Sequence, residues 1–393
     1  MDGRTRDYLK GRFGDHYRRV AVPTPPAANE REWGYITWSD GGTTMVRHHS
    51  HLDLVGGGGL EDFLAGERPR HVYFSAGRYD DPGASSMGQK GWRGSDLVFD
   101  LDADHLPGVD PEEDSYAEML SVCKDALLRL LDLLENDFAF DDMTVVFSGG
   151  RGYHVHVRDP GVLELSRAAR REIVDYVLGE DVEFEDIVST EAVAGSAGRK
   201  SPAQKRSLPD GGWAGRTSER LNEFVDELLA MEEADALERL QGFDGIGEGK
   251  ARAALNAAEN TREEIARGNV DVHPAVHSIA KHLFQSVLED GTAPIDEPVT
   301  TDINRLIRLP GSLHGGSGLK VTHIDRDAVE EFDPLVDAVP ETFVGEEITV
   351  YVREEVTVEL QGESFRLTEG VASVPEYVGV FAMARGHATK AGE

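Results

Sequence analysis

The segment that most constrains the fold is Leu97–Asp104, where an apolar run ends in carboxylates two positions apart. The run predicts a buried strand, and side chains two apart on a strand point to the same face, so Asp100 and Asp102 share one side. Two carboxylates crowded on one face repel each other unless a cation neutralises them, and Mg²⁺ or Mn²⁺ with oxygen ligands does this well. The alternative is a strand end with solvated acids. The pair therefore predicts either a divalent-metal site or an ordinary acidic strand end.

Composition limits the classes of protein and of partner. The 393 residues suffice for one large core or two modest ones, and 39% hydrophobic residues is typical of a folded globular chain. The formal net charge of −33, with only nine lysines, indicates a protein built for high salt. The negative net charge does not exclude a polyanionic partner. The electrostatic screening length falls to about 3 Å at molar salt, so a local basic groove can still bind a polyanion.

Cysteine content and hydropathy predict a soluble, cytoplasmic chain. The single cysteine, Cys123, excludes an internal disulfide framework and a Cys-rich zinc site. No stretch approaches the roughly 18 apolar residues of a membrane span. The charged N-terminus lacks the apolar region of a signal peptide, and we therefore expect no membrane contact.

The spacing of apolar residues predicts mixed α and β structure. A basic helix is expected over 4–20, and the charged block 218–268 predicts a helical lobe. Further helices are expected over 116–136, 164–179 and 273–290, near 375–386, and from a start at Thr301. Strands are expected near 32–38, 45–48, 71–74, 143–147, 347–352, 355–360 and 363–367, with Gln361–Gly362 as a turn. The Gly- and Ser-rich stretch 195–215 predicts an exposed loop.

A glycine-rich motif, Ser148–His154, stands between two predicted strands. Its glycines leave backbone N–H groups accessible, while Ser148, Arg151 and His154 add donors around one concavity, an arrangement that suits a triphosphate. The alternative is a glycine-rich hairpin with a surface arginine and a packed histidine. His156 points to the same face as His154 and is interpreted as a core histidine.

A second set of cations surrounds Pro310–Gly311. Arg305, Arg308 and His314 form either another phosphate clamp or the basic end of a helix that complements its dipole. Asp296, upstream of this set, is a candidate third metal ligand or a loop acid. Asp302 is expected in the first turn of a helix with a structural role.

Three further motifs give weaker evidence of a binding site. The stretch Gly242–Lys250 is either a helix-hairpin-helix loop for a DNA phosphate or a plain glycine turn. The turn Gly56–Gly59 lacks the lysine and hydroxyl residue of a P-loop. His48, His49 and His51 lack zinc-type spacing and are interpreted as surface histidines.

Taken in order, the motifs resemble those of the archaeo-eukaryotic primase family, in its small catalytic subunits. Val98–Asp102 is similar to the first motif, Phe147–His154 to the second, and Ile295–Asp296 with Arg308 and His314 to the third. Flanking segments that are also similar are Arg31–Tyr35, Met45–His48 and Val374–Val378. The resemblance covers about the whole chain.

The resemblance implies an α+β fold of the archaeo-eukaryotic primase type, with an RRM-like catalytic sheet and a helical lobe. It implies a core formed by residues 1–160 and 271–393 and a lobe over 161–270. Asp100, Asp102 and Asp296 would hold two Mg²⁺ or Mn²⁺ ions. The triphosphate of the incoming nucleotide would be held by Ser148, Arg151, His154, Arg308 and His314.

The implied activity is template-dependent primer synthesis from NTPs or dNTPs on single-stranded DNA, with a large primase subunit as heterodimer partner. Family members often carry a zinc site after the Asp pair, but this loop offers only His105 and the distant Cys123. We therefore expect no zinc and expect the acidic loop Asp110–Asp114 in its place. Rival hypotheses are a gap-filling or end-joining primase-polymerase, a metal-dependent phosphohydrolase or nuclease, and a non-catalytic nucleic-acid-binding subunit.

Overall fold

The computed structural model describes residues 1–39, 45–48, 59–193 and 203–392. His49, His51, most of the Gly56–Gly59 turn and the first part of the 195–215 loop lie outside the described residues. The chain forms two compact units by its internal contacts. Unit 1 comprises Met1–Leu128, Phe140–Val174 and Pro294–Glu393, and unit 2 comprises Arg129–Ala139 and Asp175–Ala293.

Secondary structure in the described residues is mixed. The strands are β1 (Arg31–Ile36), β2 (Met45–His48), β3 (His71–Tyr79), β4 (Trp92–Ser95), β5 (Leu97–Asp102), β6 (Met143–Phe147), β7 (Gly152–Val157), β8 (Ser189–Val193), β9 (Ala203–Ser207), β10 (Leu306–Arg308), β11 (Thr322–Ile324), β12 (Glu347–Val352), β13 (Val356–Leu360), β14 (Glu363–Leu367), β15 (Gly370–Pro375) and β16 (Ala388–Lys390). The helices are α1 (Gly3–Arg19), α2 (Gly59–Glu67), α3 (Met87–Lys90), α4 (Tyr116–Asn136), α5 (Arg167–Leu178), α6 (Phe184–Ile187), α7 (Gly212–Ala230), α8 (Glu233–Gln241), α9 (Glu248–Ala266), α10 (Pro274–Gly291), α11 (Glu297–Thr301), α12 (Pro334–Asp337) and α13 (Glu376–Arg385). The expectation of mixed α and β structure is confirmed.

Antiparallel sheets form the core of unit 1. One sheet has the order β10-β3-β1-β2, with β4 also paired to β3, and a second has the order β11-β6-β7-β5. A third has the order β15-β12-β16, and β13 and β14 form a hairpin. The predicted turn at Gln361–Gly362 closes that hairpin, with positive φ at both residues.

The register of the second sheet positions the first two motifs. Asp100 lies opposite His154, and Asp102 lies opposite Gly152. The turn between β6 and β7 contains Gly149 at φ 74°, a conformation that glycine adopts without strain. A side chain at Gly152 would collide with the carbonyl of Leu101, so glycine is required where β7 approaches β5.

The two larger sheets face each other on the side that carries Asp100. His156 of β7 stacks on Phe74 of β3, with ring centroids 6.0 Å apart and an interplanar angle of 12°. His156 is buried, and its role as a core histidine agrees with this packing. Helix α4 packs against the opposite face of the second sheet. The thiol of Cys123 on α4 lies 3.7 Å from the carbonyl oxygen of Leu101 on β5. Asp100 and His154 therefore lie on the sheet face that meets the other sheet.

The prediction of a helix that begins at Thr301 is wrong. The structure instead has a short helix, α11, that begins after Asp296 and contains a proline in its first turn, where proline is tolerated. Asp302 follows the end of α11 and accepts a hydrogen bond from the amide of Asn304 at 3.0 Å. The chain then pairs as β10 with β3, so backbone pairing between distant segments overrides the local helical pattern.

Unit 2 is mainly helical. Buried faces of α7, α9 and α10 pack together around Leu221, Phe224 and Phe284. The charged block thus forms helices as expected, while the hairpin of β8 and β9 was not expected. The stretch Gly242–Lys250 comprises the turn between α8 and α9, in which Ile246 is buried, and the first three residues of α9. No helix within the described ranges is long and apolar enough to cross a membrane.

Candidate active site

Three carboxylates lie together at the end of β5. The amide of Asp296 donates a hydrogen bond of 2.8 Å to the carbonyl oxygen of Asp100, which places the start of α11 beside β5. Asp102 accepts a longer bond, 3.3 Å, from the amide of Asp104. Burial and then the charge of Asp100, with a further contribution from Asp102, raise the pKa of Asp296 above its ordinary value. Asp296 is therefore close enough to the other two acids to be repelled by both.

His154 contacts the first of these acids. Its Nε2 lies 3.2 Å from Oδ1 of Asp100, and its side chain is only 7% exposed. Burial by itself would raise the pKa of Asp100, but His154 first, and then Arg308 and Arg305, bring that pKa below its ordinary value. The Nδ1 of His154 is buried and has no hydrogen-bond partner among the described residues. One ring nitrogen thus serves Asp100 and the other is available to a ligand.

Arg308 approaches the acids from the other sheet. It lies on β10 opposite Tyr73 of β3, and its guanidinium is 5.7 Å from the centre of the Tyr73 ring. Its Nε is buried without a partner in the described part of the chain. Because its charge also affects the pKa of Asp100, Arg308 faces the carboxylates across the gap between the sheets.

The His314 turn packs against the glycine motif. The Nδ1 of His314 lies 3.2 Å from the Ser317 hydroxyl, and its ring meets the His71 ring edge-on at 4.8 Å. A Cβ at Gly150 would lie 3.3 Å from Nε2 of His314. Burial, followed by the charge of Arg308, lowers the pKa of His314 well below its ordinary value. His314 is therefore a neutral imidazole at neutral pH.

Ser148 and Arg151 complete the glycine motif. The buried Ser148 hydroxyl accepts a bond of 3.3 Å from the amide of Gly150. Arg151 forms an ion pair with Asp104, a contact that sequence reasoning did not anticipate. Asp104 therefore competes with a phosphate for part of the Arg151 guanidinium.

A cavity of about 460 Å³ is lined by both acidic and basic residues. Asp100 and His154 line it together with Arg305 and Arg308. Asp302, Asn304 and Tyr73 also line it. Sequence reasoning had assigned Asp302 to a helix and had given Tyr73 no role. No local signal identifies Tyr73, because only the pairing of β3 with β10 brings it here.

The donors fit divalent cations by charge. Among the described residues, no three His, Cys, Asp or Glu side chains are already grouped around one ion position. Mutual repulsion among oxygen donors, shown by the raised pKa of Asp296, is what a hard cation with oxygen ligands would relieve. The thiol of Cys123 is a poor zinc ligand, because burial raises its pKa and suppresses the thiolate.

Comparison with known proteins identifies the family. The family model for the DNA primase small subunit matches residues 99–325. The chain is similar over its full length to the DNA primase small subunit PriS of Natronomonas pharaonis, at 77% identity over 100% of both chains. It is 65% identical to that of Haloarcula marismortui over 100% of both chains, and 40% identical to that of Methanococcoides burtonii over 99% of both. The protein belongs to the DNA primase small subunit family.

Proposed function

We propose that this chain catalyses template-dependent primer synthesis, in which nucleotidyl transfer builds short RNA or DNA primers from nucleoside triphosphates on single-stranded DNA. One observation carries the proposal: the amide of Asp296 is hydrogen-bonded to the carbonyl oxygen of Asp100, and Asp100 lines a cavity that Arg305 and Arg308 also line. Carboxylates opposite guanidinium groups are what a metal-bound triphosphate requires. The four-stranded sheet that carries Asp100 serves as the RRM-like catalytic sheet.

The acids and the cations divide the work. Asp100, Asp102 and Asp296 would hold two Mg²⁺ or Mn²⁺ ions, which when bound activate the 3′-hydroxyl and neutralise the leaving pyrophosphate. Arg308 binds the triphosphate and stabilises its charge. The free Nδ1 of His154 adds a hydrogen-bonding group on the side of the acids.

The glycine motif orients the phosphates. Arg151 exchanges Asp104 for a phosphate oxygen, while Ser148 and the backbone amides of its turn add neutral donors. His314, held neutral, donates one hydrogen bond to the phosphates without adding charge. A large primase subunit would act with the chain as a heterodimer, and template and primer would be bound through their backbones.

A primer-synthesis assay tests the function. A fluorescently labelled primer on a single-stranded template, supplied with NTPs or dNTPs and Mg²⁺ or Mn²⁺, should be extended by the wild-type chain. Unprimed template should be copied when the large subunit is present. Activity restricted to gapped duplexes would instead support a gap-filling polymerase, and degradation of the template without incorporation would support a nuclease.

A further inference from the structure

A second cavity of unit 1, distinct from the one that Asp100 and Arg308 line, is lined by arginines. It has a volume of about 310 Å³, and Arg6, Arg70, Arg353 and Arg385 contribute to its wall. Trp38 forms part of the same wall. Four guanidinium groups around one cavity are unexpected in a chain with a formal net charge of −33, because acids predominate on its surface.

Two of these arginines form no ion pair with any residue that the structure describes. Arg353 is exposed, whereas Arg385 is half-buried and lies over the ring of Tyr116 at 4.5 Å. Burial, and to a lesser extent the charge of Arg151, lower the pKa of Arg385. The carboxylate of Asp104 offsets part of the cost of burying Arg385 but forms no ion pair with it, and an anion in the cavity would offset more of that cost.

Trp38 provides an independent sign of a ligand. It is 6% exposed, and its indole N–H is buried without a hydrogen-bond partner in the described ranges. The guanidinium of Arg70 lies 5.8 Å from the centre of its ring, so the indole face is covered and unavailable for stacking. A buried N–H donor without an acceptor is rare and calls for one. Trp38 therefore offers a hydrogen bond and not a stacking surface.

The arginine-lined cavity lies near the His314 turn and the glycine motif. Arg70 lies at the His314 turn, with its Nε 3.4 Å from the carbonyl oxygen of Gly315. Arg385 is close enough to Arg151 for the two charges to interact. Two of the cavity's four arginines therefore lie near residues proposed to bind the triphosphate.

We propose that the cavity formed by Trp38, Arg70, Arg353 and Arg385 binds a phosphodiester of a single-stranded nucleic acid. This inference rests on the proposed function and extends it to a site outside the carboxylate and triphosphate positions. The chemical groups of the site indicate the ligand. Guanidinium groups and an indole N–H donate hydrogen bonds to oxygen atoms. No base can stack on the buried ring of Trp38. The strand would be held by its backbone without sequence readout.

Binding of a short fluorescein-labelled oligo(dT), measured by anisotropy without metal or nucleotide over a range of KCl concentrations, tests the site. Arg353→Ala and Arg385→Gln are each expected to weaken binding about tenfold, as for the loss of one charge-assisted bond. The slope of log K against log salt should fall by about 0.7 per lost phosphate contact. Arg366→Ala is the matched control, because Arg366 is exposed on β14 and paired with Glu355 outside the cavity.

Each outcome decides the inference. Unchanged affinity and slope in both variants, which thermal melting must show to be folded, would overturn it. If the variants lose competition by tripolyphosphate but keep oligo(dT) affinity, the cavity binds a terminal polyphosphate and the inference is also overturned. Extension of a primer at saturating template is measured separately, so that a failure of the proposed function is not mistaken for a failure of this site.

Discussion

Replacement of Asp100 or of Asp296 should abolish nucleotide addition in both cases, but only the Asp100 substitution should lower the free energy of unfolding. Repulsion between Asp100 and Asp102 would by itself make removal of either charge harmless to the fold. The structure changes that expectation for Asp100, whose pKa is lowered by His154 despite burial. It leaves Asp296 as an acid with a raised pKa, caused by burial and then by Asp100.

The size of each change in the free energy of unfolding follows from the contacts that the substitution removes. Asp100→Ala deletes the acceptor 3.2 Å from Nε2 of His154, a side chain that is 7% exposed and whose Nδ1 already lacks a partner among the described residues. An orphaned buried donor costs about 1–3 kcal/mol. Asp296 caps α11 without a side-chain hydrogen bond, so Asp296→Asn removes the cost of a buried charge and repulsion by Asp100, which together outweigh the attraction of Arg305 and His105. It should leave the free energy of unfolding unchanged or raise it.

The pH dependence has opposite signs for the two acids. A lowered folded pKa means that the stability from Asp100 is present above its unfolded pKa and lost as the pH falls through the folded value. A raised folded pKa means that the contribution of Asp296 is present below its unfolded pKa and lost as the pH rises through the folded value. The free energy of unfolding of the Asp296→Asn variant should therefore exceed that of the wild type by most at neutral pH.

Denaturant unfolding of chelator-treated protein at one fixed salt concentration measures both effects, with nucleotide addition assayed on the same samples. An Asp100→Ala variant as stable as wild type would refute the contact with His154. An Asp296→Asn variant that loses more than about 1 kcal/mol would refute the repulsion argument, since no hydrogen bond accounts for such a loss. Retained nucleotide addition in either variant would refute the metal-ligand assignment.

Three further predictions follow from the same geometry. Arg151→Ala and His154→Ala should each weaken nucleotide binding by about 1.5–3 kcal/mol in a titration with a non-hydrolysable NTP, and unchanged affinity in both would favour a purely structural hairpin. Asp302→Asn should keep most of its activity and lose no more than about 1 kcal/mol, because asparagine can still accept from the Asn304 amide. Metal analysis after exhaustive dialysis should find less than one zinc per chain, and a stoichiometric zinc would show that the loop after Asp104 has been misinterpreted.

Local pattern was sufficient to place most elements and the first two motifs. Helix α4 has the bounds 116–136 that its apolar spacing predicts, and β6 runs over 143–147 as expected. The period of the side chains along a strand or helix is a property of the backbone itself, so a short window of sequence reveals it. The shared face of Asp100 and His154 follows from the same alternation once β5 and β7 are paired.

The assembly of the site depended on contacts between distant segments. Asp296 meets Asp100 because α11 begins beside β5, and Arg308 reaches the cavity because β10 pairs with β3. The family resemblance named these residues, but neighbouring residues favoured a helix at Thr301 that the fold does not form. Burial of apolar faces between the two sheets outweighs such weak local preferences.

The electrostatic character of each site residue was also decided by tertiary structure alone. Arg151 is paired with Asp104, and the pKa values of Asp100 and Asp296 move in opposite directions although both are aspartates near the same cavity. The sequence by itself determined which chemical groups are present and which of them share a strand face. Packing determined which charges face each other at short range and how far they are removed from water, and these distances set the interaction energies.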